Sequence, residues 1–453
     1  MIDKRVILIL IFAVLLLGLT LYSYGGYESD NLTYPKGPVI GHSNKVLVVA
    51  PHPDDETIAN AGIIRYCVKN KIPVHVVVVT NGENFRATGI ERHSESMTAM
   101  KKLGLKSDAV TFLDYPENSA SLFNQNWGYN NLFKDENGTS HSTNSFAYEL
   151  NAPYCGENLE KNLKQIIEDF QPTIIIYPDG NDKNPDHWTT SAFVDYATNK
   201  LNYTCKKYGY LTHTYSQWPY PRSYNPDTYL VPPPELSNQS WVVFPLNGVD
   251  ESLKFDAIKS YSSQITPDAS YIIAFVKKNE LFSVYSDINV SSQKNNTNYF
   301  KGSSFPPTIF QDPENDLLIN EISNLIDLNL ENTDSFDLTS IGFEMDQNTT
   351  WLSLKTMGAI ANNTPYEFHI RTFGSDNASR IDIWIQNGKA SYEMFSQNSV
   401  KSHLKIKTVV KHDGVIVEIP SNIINSKKIM ISADVMNQQG MVDRTAWRTV
   451  NIV

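Results

Sequence analysis

Between Lys45 and about residue 200, short and wholly apolar runs alternate with segments of helical spacing, and this alternation leaves few folds open. Lys45–Ala50 (KVLVVA), Val74–Thr80 (VHVVVVT), Ala109–Leu113 and Thr173–Tyr177 (TIIIY) read as strands. Thr57–Lys69, Ile90–Leu103 and Leu159–Phe170 read as helices. Strands with no polar alternation must be covered on both faces, which is the condition of a parallel sheet flanked by helices. In such folds the chemistry gathers at the carboxyl ends of the strands. The stretch Pro116–Gly156 breaks the rhythm with Asn, Ser, Gly and aromatic residues, so a long functional loop is expected there.

The later chain has a different period. Ser340–Met345, Trp351–Met357, Tyr366–Phe373, Arg380–Gln386, Leu404–Val410 and Val415–Ile419 are short alternating runs, and Asn387-Gly388 and Asp413-Gly414 supply turn signals. An all-β sandwich over residues 330–453 is the expectation, after an α/β unit over 40–310. Two units also suit a length of 453 residues. The formal charge of −11 disfavours nucleic acid as a partner, and nearly all of the acidic excess lies before Glu331.

Residues 1–30 stand apart. Lys4 and Arg5 precede an apolar run from Val6 to Leu21, followed by Tyr22 and Tyr24. No small-residue cleavage site follows. We therefore expect a membrane-anchoring helix with the bulk of the chain outside the cytoplasm, or else secretion after signal cleavage. Asn-x-Ser/Thr triplets at Asn137, Asn202 and Asn238, among others, agree with export. Cys67, Cys155 and Cys205 allow at most one disulfide, with Cys155–Cys205 the candidate pair and Cys67 a core residue.

Two segments carry chemistry. Pro51-His52-Pro53-Asp54-Asp55-Glu56 directly follows the first strand. An imidazole beside two carboxylates can divide two jobs: one carboxylate joins the ring on a metal ion, and the other takes a proton from water. The second segment, Pro178 to Trp188, follows a strand that ends on the same rim. His187 there would complete a His–Asp–His set with a position left for water, and Asp186 would orient a ring or a water. Such ligands suit zinc, and other divalent cations as well.

These segments resemble the PIG-L/LmbE-like family of zinc-dependent de-N-acetylases, whose marks are an [AP]HPDDE box and a later H-x-D-H box. Thr80-Asn81-Gly82-Glu83, Arg92-x-x-Glu95, Leu103-Gly104 and Phe112-Leu113-Asp114-Tyr115-Pro116 resemble further family segments. So do Tyr210 to His213, Lys254 with Ala257, Tyr261-x-Ser263-Gln264 and Glu280-x-Phe282, which extends the likeness from about Lys45 to Phe282. The resemblance implies a Rossmann-like sheet, His52, Asp55 and His187 as zinc ligands, Asp54 as general base, and Arg92 as a sugar contact.

One position departs from the family. Asn184 stands where the second box usually has a histidine. Its amide can donate a hydrogen bond to an oxyanion or substrate but cannot supply a proton. His213 is then the candidate to replace that histidine. Trp127, with Tyr129 and Phe133, is expected to form a stacking platform for a sugar. The run Val417–Ile424 resembles carbohydrate-binding modules of family 9. The expected function is removal of acetyl from an N-acetylated sugar or glycoconjugate. The alternative is a non-catalytic glycan-binding protein at the cell surface.

Overall fold

The computed structural model describes residues 33–453 apart from 215–217, 266–269, 293–296, 319–329, 374–379, 397–398 and 438–439. The anchor expected over 1–30 lies outside these residues. Among the described residues no helix is long and apolar enough to cross a membrane.

The alternation in the first half builds a seven-stranded sheet. Its strands are β1 (Val46–Ala50), β2 (Val74–Thr80), β3 (Val110–Tyr115), β4 (Ile174–Pro178), β5 (Lys206–Tyr210), β6 (Trp241–Pro245) and β7 (Asn279–Ser283). They lie in the order β3-β2-β1-β4-β5-β7-β6. The first five are parallel, and β7 pairs antiparallel with both β5 and β6. One face packs on α1 (Asp55–Lys69) and α2 (Gly89–Leu103) through Val46, Val48, Ile64 and Leu103. The other packs on α3 (Ser119–Asn124), α4 (Gly156–Phe170) and α5 (Pro185–Lys200) through Leu47, Val49, Leu163 and Phe193. The strand order reverses between β1 and β4, which opens a crevice at their carboxyl ends.

Helix ends follow local chemistry. Thr88 caps α2 by accepting from Glu91 N, and Gly104 closes it at φ 85°, where a side chain is disfavoured. Asn184 caps α5 and Pro185 opens it.

The second unit has twelve strands, beginning with β8 (Ile288–Val290) and β9 (Thr308–Gln311). It continues with β10 (Leu338–Met345), β11 (Thr349–Thr356), β12 (Tyr366–Thr372), β13 (Arg380–Gln386), β14 (Lys389–Ser396), β15 (Ser399–Lys411) and β16 (Gly414–Pro420). β17 (Lys428–Asn437), β18 (Gly440–Arg444) and β19 (Arg448–Ile452) complete it. The first part of β15 pairs with β14 and its last part, Lys407–Lys411, with β16. One continuous sheet thus folds over into two layers. Ile341, Phe343 and Leu354 from one layer meet Phe368, Ile383 and Ile431 from the other in a common core.

Two expectations need correction. β8 pairs with β19 and β9 with β10, so strands within 288–311 belong to the sandwich rather than to the α/β unit. The Cys155–Cys205 bridge is not formed, because all three cysteines are free. Cys67 is buried in the core as expected.

The units are joined by packing and hydrogen bonds. Trp447 and Met430 enter the core around Phe123 and Phe193. The Arg371 guanidinium lies over the rings of Phe123 and Trp447 and donates to Phe123 O at 3.3 Å. Asn199 donates to Thr449 Oγ1 at 2.7 Å.

Candidate metal centre and catalytic site

The site forms where β1 and β4 end side by side. β1 runs into the turn that carries His52, and α1 begins at Asp55. β4 runs into the loop before α5, whose first turn carries His187. His52 Nδ1 lies 3.2 Å from Asp55 Oδ2 and 3.2 Å from His187 Nε2. The third side, Asp55 Oδ2 to His187 Nε2, is 3.1 Å. Ligand atoms about 2.0–2.1 Å from a tetrahedral zinc stand about 3.3 Å apart, so the three atoms fit one face of such a site. All three residues are buried, and two imidazole nitrogens with one carboxylate are a donor set that a divalent transition ion accepts.

The other ring nitrogens are held in place. His52 Nε2 faces Asp186 Oδ2 at 3.3 Å. Asp186 in turn accepts from Ser119 N at 2.5 Å and Asn118 N at 3.2 Å, which gives the Pro116–Gly156 loop its work. His187 Nδ1 lies 2.9 Å from Thr212 Oγ1 and 3.2 Å from Asp182 Oδ2. Carboxylate partners of this kind orient imidazole ligands and raise their basicity. The field of the site favours positive charge. Burial works against a charged His187, yet Asp182 and Asp55 carry it up to about 9. Burial likewise opposes Asp55 ionisation, but His187 and His52 hold its carboxyl well below the usual range.

Asp54 sits at φ 154°, ψ −32°, a conformation that L side chains rarely adopt. It turns Asp54 away from its neighbour, so adjacent carboxylates serve different partners. Asp54 Oδ2 is 3.3 Å from Arg92 Nη2. Burial raises Asp54 to about 7 against the pull of that guanidinium. Glu56, the third acid, is structural. It accepts from Asp54 N at 2.9 Å, from Ser96 Oγ at 2.5 Å and from Tyr261 OH at 2.6 Å, tying α1 to α2.

Arg92 has a different role from the expected sugar contact. It is 3% exposed and donates to Pro53 O at 2.8 Å and Gly82 O at 3.0 Å. The guanidinium therefore fixes the turn and the Asp54 carboxylate. Nor does it pair with Glu95, which accepts from Ser262 Oγ, Ser263 N and Ser263 Oγ. Gly82, at φ 63°, is required: a Cβ there would lie 2.7 Å from Pro53 Cδ and 3.1 Å from Arg92 Cζ.

Trp127 also departs from expectation. Its partly buried ring packs on Phe123, Phe193 and Tyr196 against the helix-side core. Asn184 accepts from Asp186 N at 2.9 Å, so its amide oxygen is used in capping α5 and its NH2 points the other way.

His213 does reach the site. Its ring meets His187 edge-on with centroids 4.5 Å apart. Nδ1 is 3.3 Å from Asp182 Oδ1, and Nε2 is 3.1 Å from Tyr271 OH. Four contributors escape a reading of the sequence, Tyr271 on His213 among them. Asp182 organises both histidines, Thr212 bridges them, and Glu117 lies close enough for His52 and Asp186 to influence its charge. For Asp182 a signal exists: it sits in the same acidic loop as His187. Tyr271 gives none.

A doubly wound α/β unit with two histidines and a carboxylate converging at its crevice, beside a separate buried carboxylate, is an arrangement that metal-dependent hydrolases use. Residues 47–198 match the family described as PIG-L, GlcNAc-PI de-N-acetylase, and this stretch is a PIG-L domain. A comparison with curated proteins found no match. Among solved structures, a conserved protein from Thermus thermophilus is 17% identical with a TM-score of 0.36, covering 53% of this chain and 94% of that one. The N,N'-diacetylchitobiose deacetylase from Pyrococcus horikoshii is 18% identical with a TM-score of 0.35, covering 53% and 84%. A deacetylase of the teicoplanin biosynthetic pathway is 15% identical with a TM-score of 0.35, covering 53% and 97%. The resemblance of the sandwich to carbohydrate-binding modules rests on its sequence run alone.

Proposed function

We propose that the chain is a zinc-dependent de-N-acetylase that removes acetyl from an N-acetylated sugar or glycoconjugate outside the cytoplasm. The observation that carries this reading is the convergence of His52 Nδ1, Asp55 Oδ2 and His187 Nε2 within 3.1–3.2 Å, with Asp54 turned aside next to them. A zinc ion held there would supply Lewis acidity toward the acetamide carbonyl and toward water. The chain's own residues do the rest. Asp54 takes the proton of the attacking water, with Arg92 fixing its carboxylate. Asn184, through its NH2, and the half-buried His213 are the candidates to face the developing oxyanion. His213, oriented by Asp182, is the group able to hand a proton to the departing amine.

The extracytoplasmic setting is supported by Lys4 and Arg5 before the apolar run Val6–Leu21 and by the Asn-x-Ser/Thr triplets. The test of the activity is acetate and amine release from a panel of N-acetylglucosamine conjugates by the zinc-loaded chain. Release is expected from at least one class. Tight binding across the panel with no release from any member would favour the glycan-binding alternative.

A further inference from the structure

Away from the catalytic crevice, the start of the sandwich gathers carboxylates in a buried place. Asp312 directly follows β9, Asp316 lies in the turn beyond it, and Asp443 is on β18. One carboxylate oxygen from each lies within 4.8 Å of the others. The segment is pinned from both sides: Asn315 N donates to Asp337 Oδ2 at 2.7 Å, and Leu318 N to Val442 O at 2.7 Å. Asp443 accepts from Leu338 N at 2.7 Å through Oδ2. Asp312 and Asp316 are each 7% exposed and Asp337 is 2% exposed. Yet Asp312 Oδ2, Asp316 Oδ1 and Asp337 Oδ1 are buried with no hydrogen-bond partner.

Buried carboxylate oxygens without donors are costly, and three converging acids compound the cost. Arg444 and Lys183 are the neighbouring cations, and the Arg444 guanidinium also donates to Gly180 O at 2.6 Å and Asp182 O at 3.1 Å across the seam. Burial and the charges of Asp316 and Asp443 push Asp312 well above the usual carboxylate range against the pull of Arg444.

We propose that Asp312, Asp316 and Asp443 bind a hard divalent cation of the calcium type at the seam between the sandwich and the α/β unit. Oxygen-only donors disfavour zinc, and an irregular set of buried carboxylates suits calcium, which accepts six to eight oxygens in flexible geometry. Asp337 stands beside the set and adds charge felt by all three acids. The cation would thereby fasten the strand that carries Asp443 and Arg444 to the segment that carries Asp312 and Asp316.

The test is thermal melting of the full-length chain with calcium chloride titrated in, zinc held at one fixed equivalent throughout. The wild type is expected to melt about 5 °C higher at calcium a hundredfold above its dissociation constant. Asp316→Asn should abolish the rise, whereas Asp55→Asn, at the other metal site, should keep it. Isothermal titration of the wild type with calcium should give one site per chain, which decides the matter even if Asp316→Asn fails to fold. No shift and no binding in the wild type up to millimolar calcium would overturn the proposal, as would a rise retained by Asp316→Asn.

Discussion

At the scale of single residues, the site divides labour between neighbours that a sequence cannot tell apart. Asp54 and Asp55 are adjacent, yet the unusual backbone at Asp54 sends one carboxylate to Arg92 and the other to the two histidines. Asp54→Asn keeps the shape and removes the base. We expect kcat to fall by about a thousandfold with zinc content unchanged, as read by turnover and metal analysis. His213→Gln is expected to lower kcat by about tenfold or more; turnover unchanged in this variant would exclude His213 from proton transfer. His52, Asp55 and His187 are readable in the sequence because ligands of this type fall at strand ends and in a first helical turn. Asp182 shares the His187 loop, which is a signal, but an Asp in a Gly- and Asn-rich loop also looks like a turn former. For Arg92 the resemblance implies a sugar contact, whereas its partners Pro53 and Gly82, from other segments, hold it in the turn.

At the scale of elements, tight turns hold these groups in place. Gly82→Ala forces a Cβ into Pro53 at a left-handed φ. It should cost about 1–2 kcal/mol in a melting experiment and lower kcat with it, since the same turn anchors Arg92. The sandwich carries its own charged element. His369 on β12 lies 2.9 Å from Asp382 on β13 and 2.9 Å from Asp434 on β17. Burial opposes its charge, but Asp434 and Asp382 raise it from 6.5 to about 10. A raised folded pKa gives stability that is complete below the unfolded value and is lost as pH rises toward 10. Melting temperature should therefore fall between about pH 7 and pH 10, with up to about 5 kcal/mol at stake, and His369→Gln should flatten that slope. Strands β1 to β4 and helices α1, α2 and α4 are readable from periodicity, whereas α3, α5 and β5 to β7 are not. Nor is the pairing of β8 and β9 with the sandwich, because three- and four-residue strands leave no period to read.

At the scale of the whole molecule, the sandwich is built against the catalytic unit. Arg444 of β18 donates to the carbonyls of Gly180 and Asp182 and lies over the ring of Trp188, next to His187. Arg444→Met should leave those carbonyls without their donor, cost about 2 kcal/mol, and lower kcat more than it changes KM. The excess of acid over base before Glu331 fits the account, because Asp54, Asp55, Asp182 and Asp186 all converge on the proposed metal site. The central claim is that His52, Asp55 and His187 hold a metal that serves deacetylation with Asp54 as base. Its most direct test is zinc content and acetate release on the same preparations of wild type, Asp54→Asn and His187→Ala. The account predicts zinc and activity in the wild type, zinc without activity in Asp54→Asn, and neither in His187→Ala. Activity persisting at the wild-type level in Asp54→Asn, or zinc retained in full by His187→Ala, would contradict it.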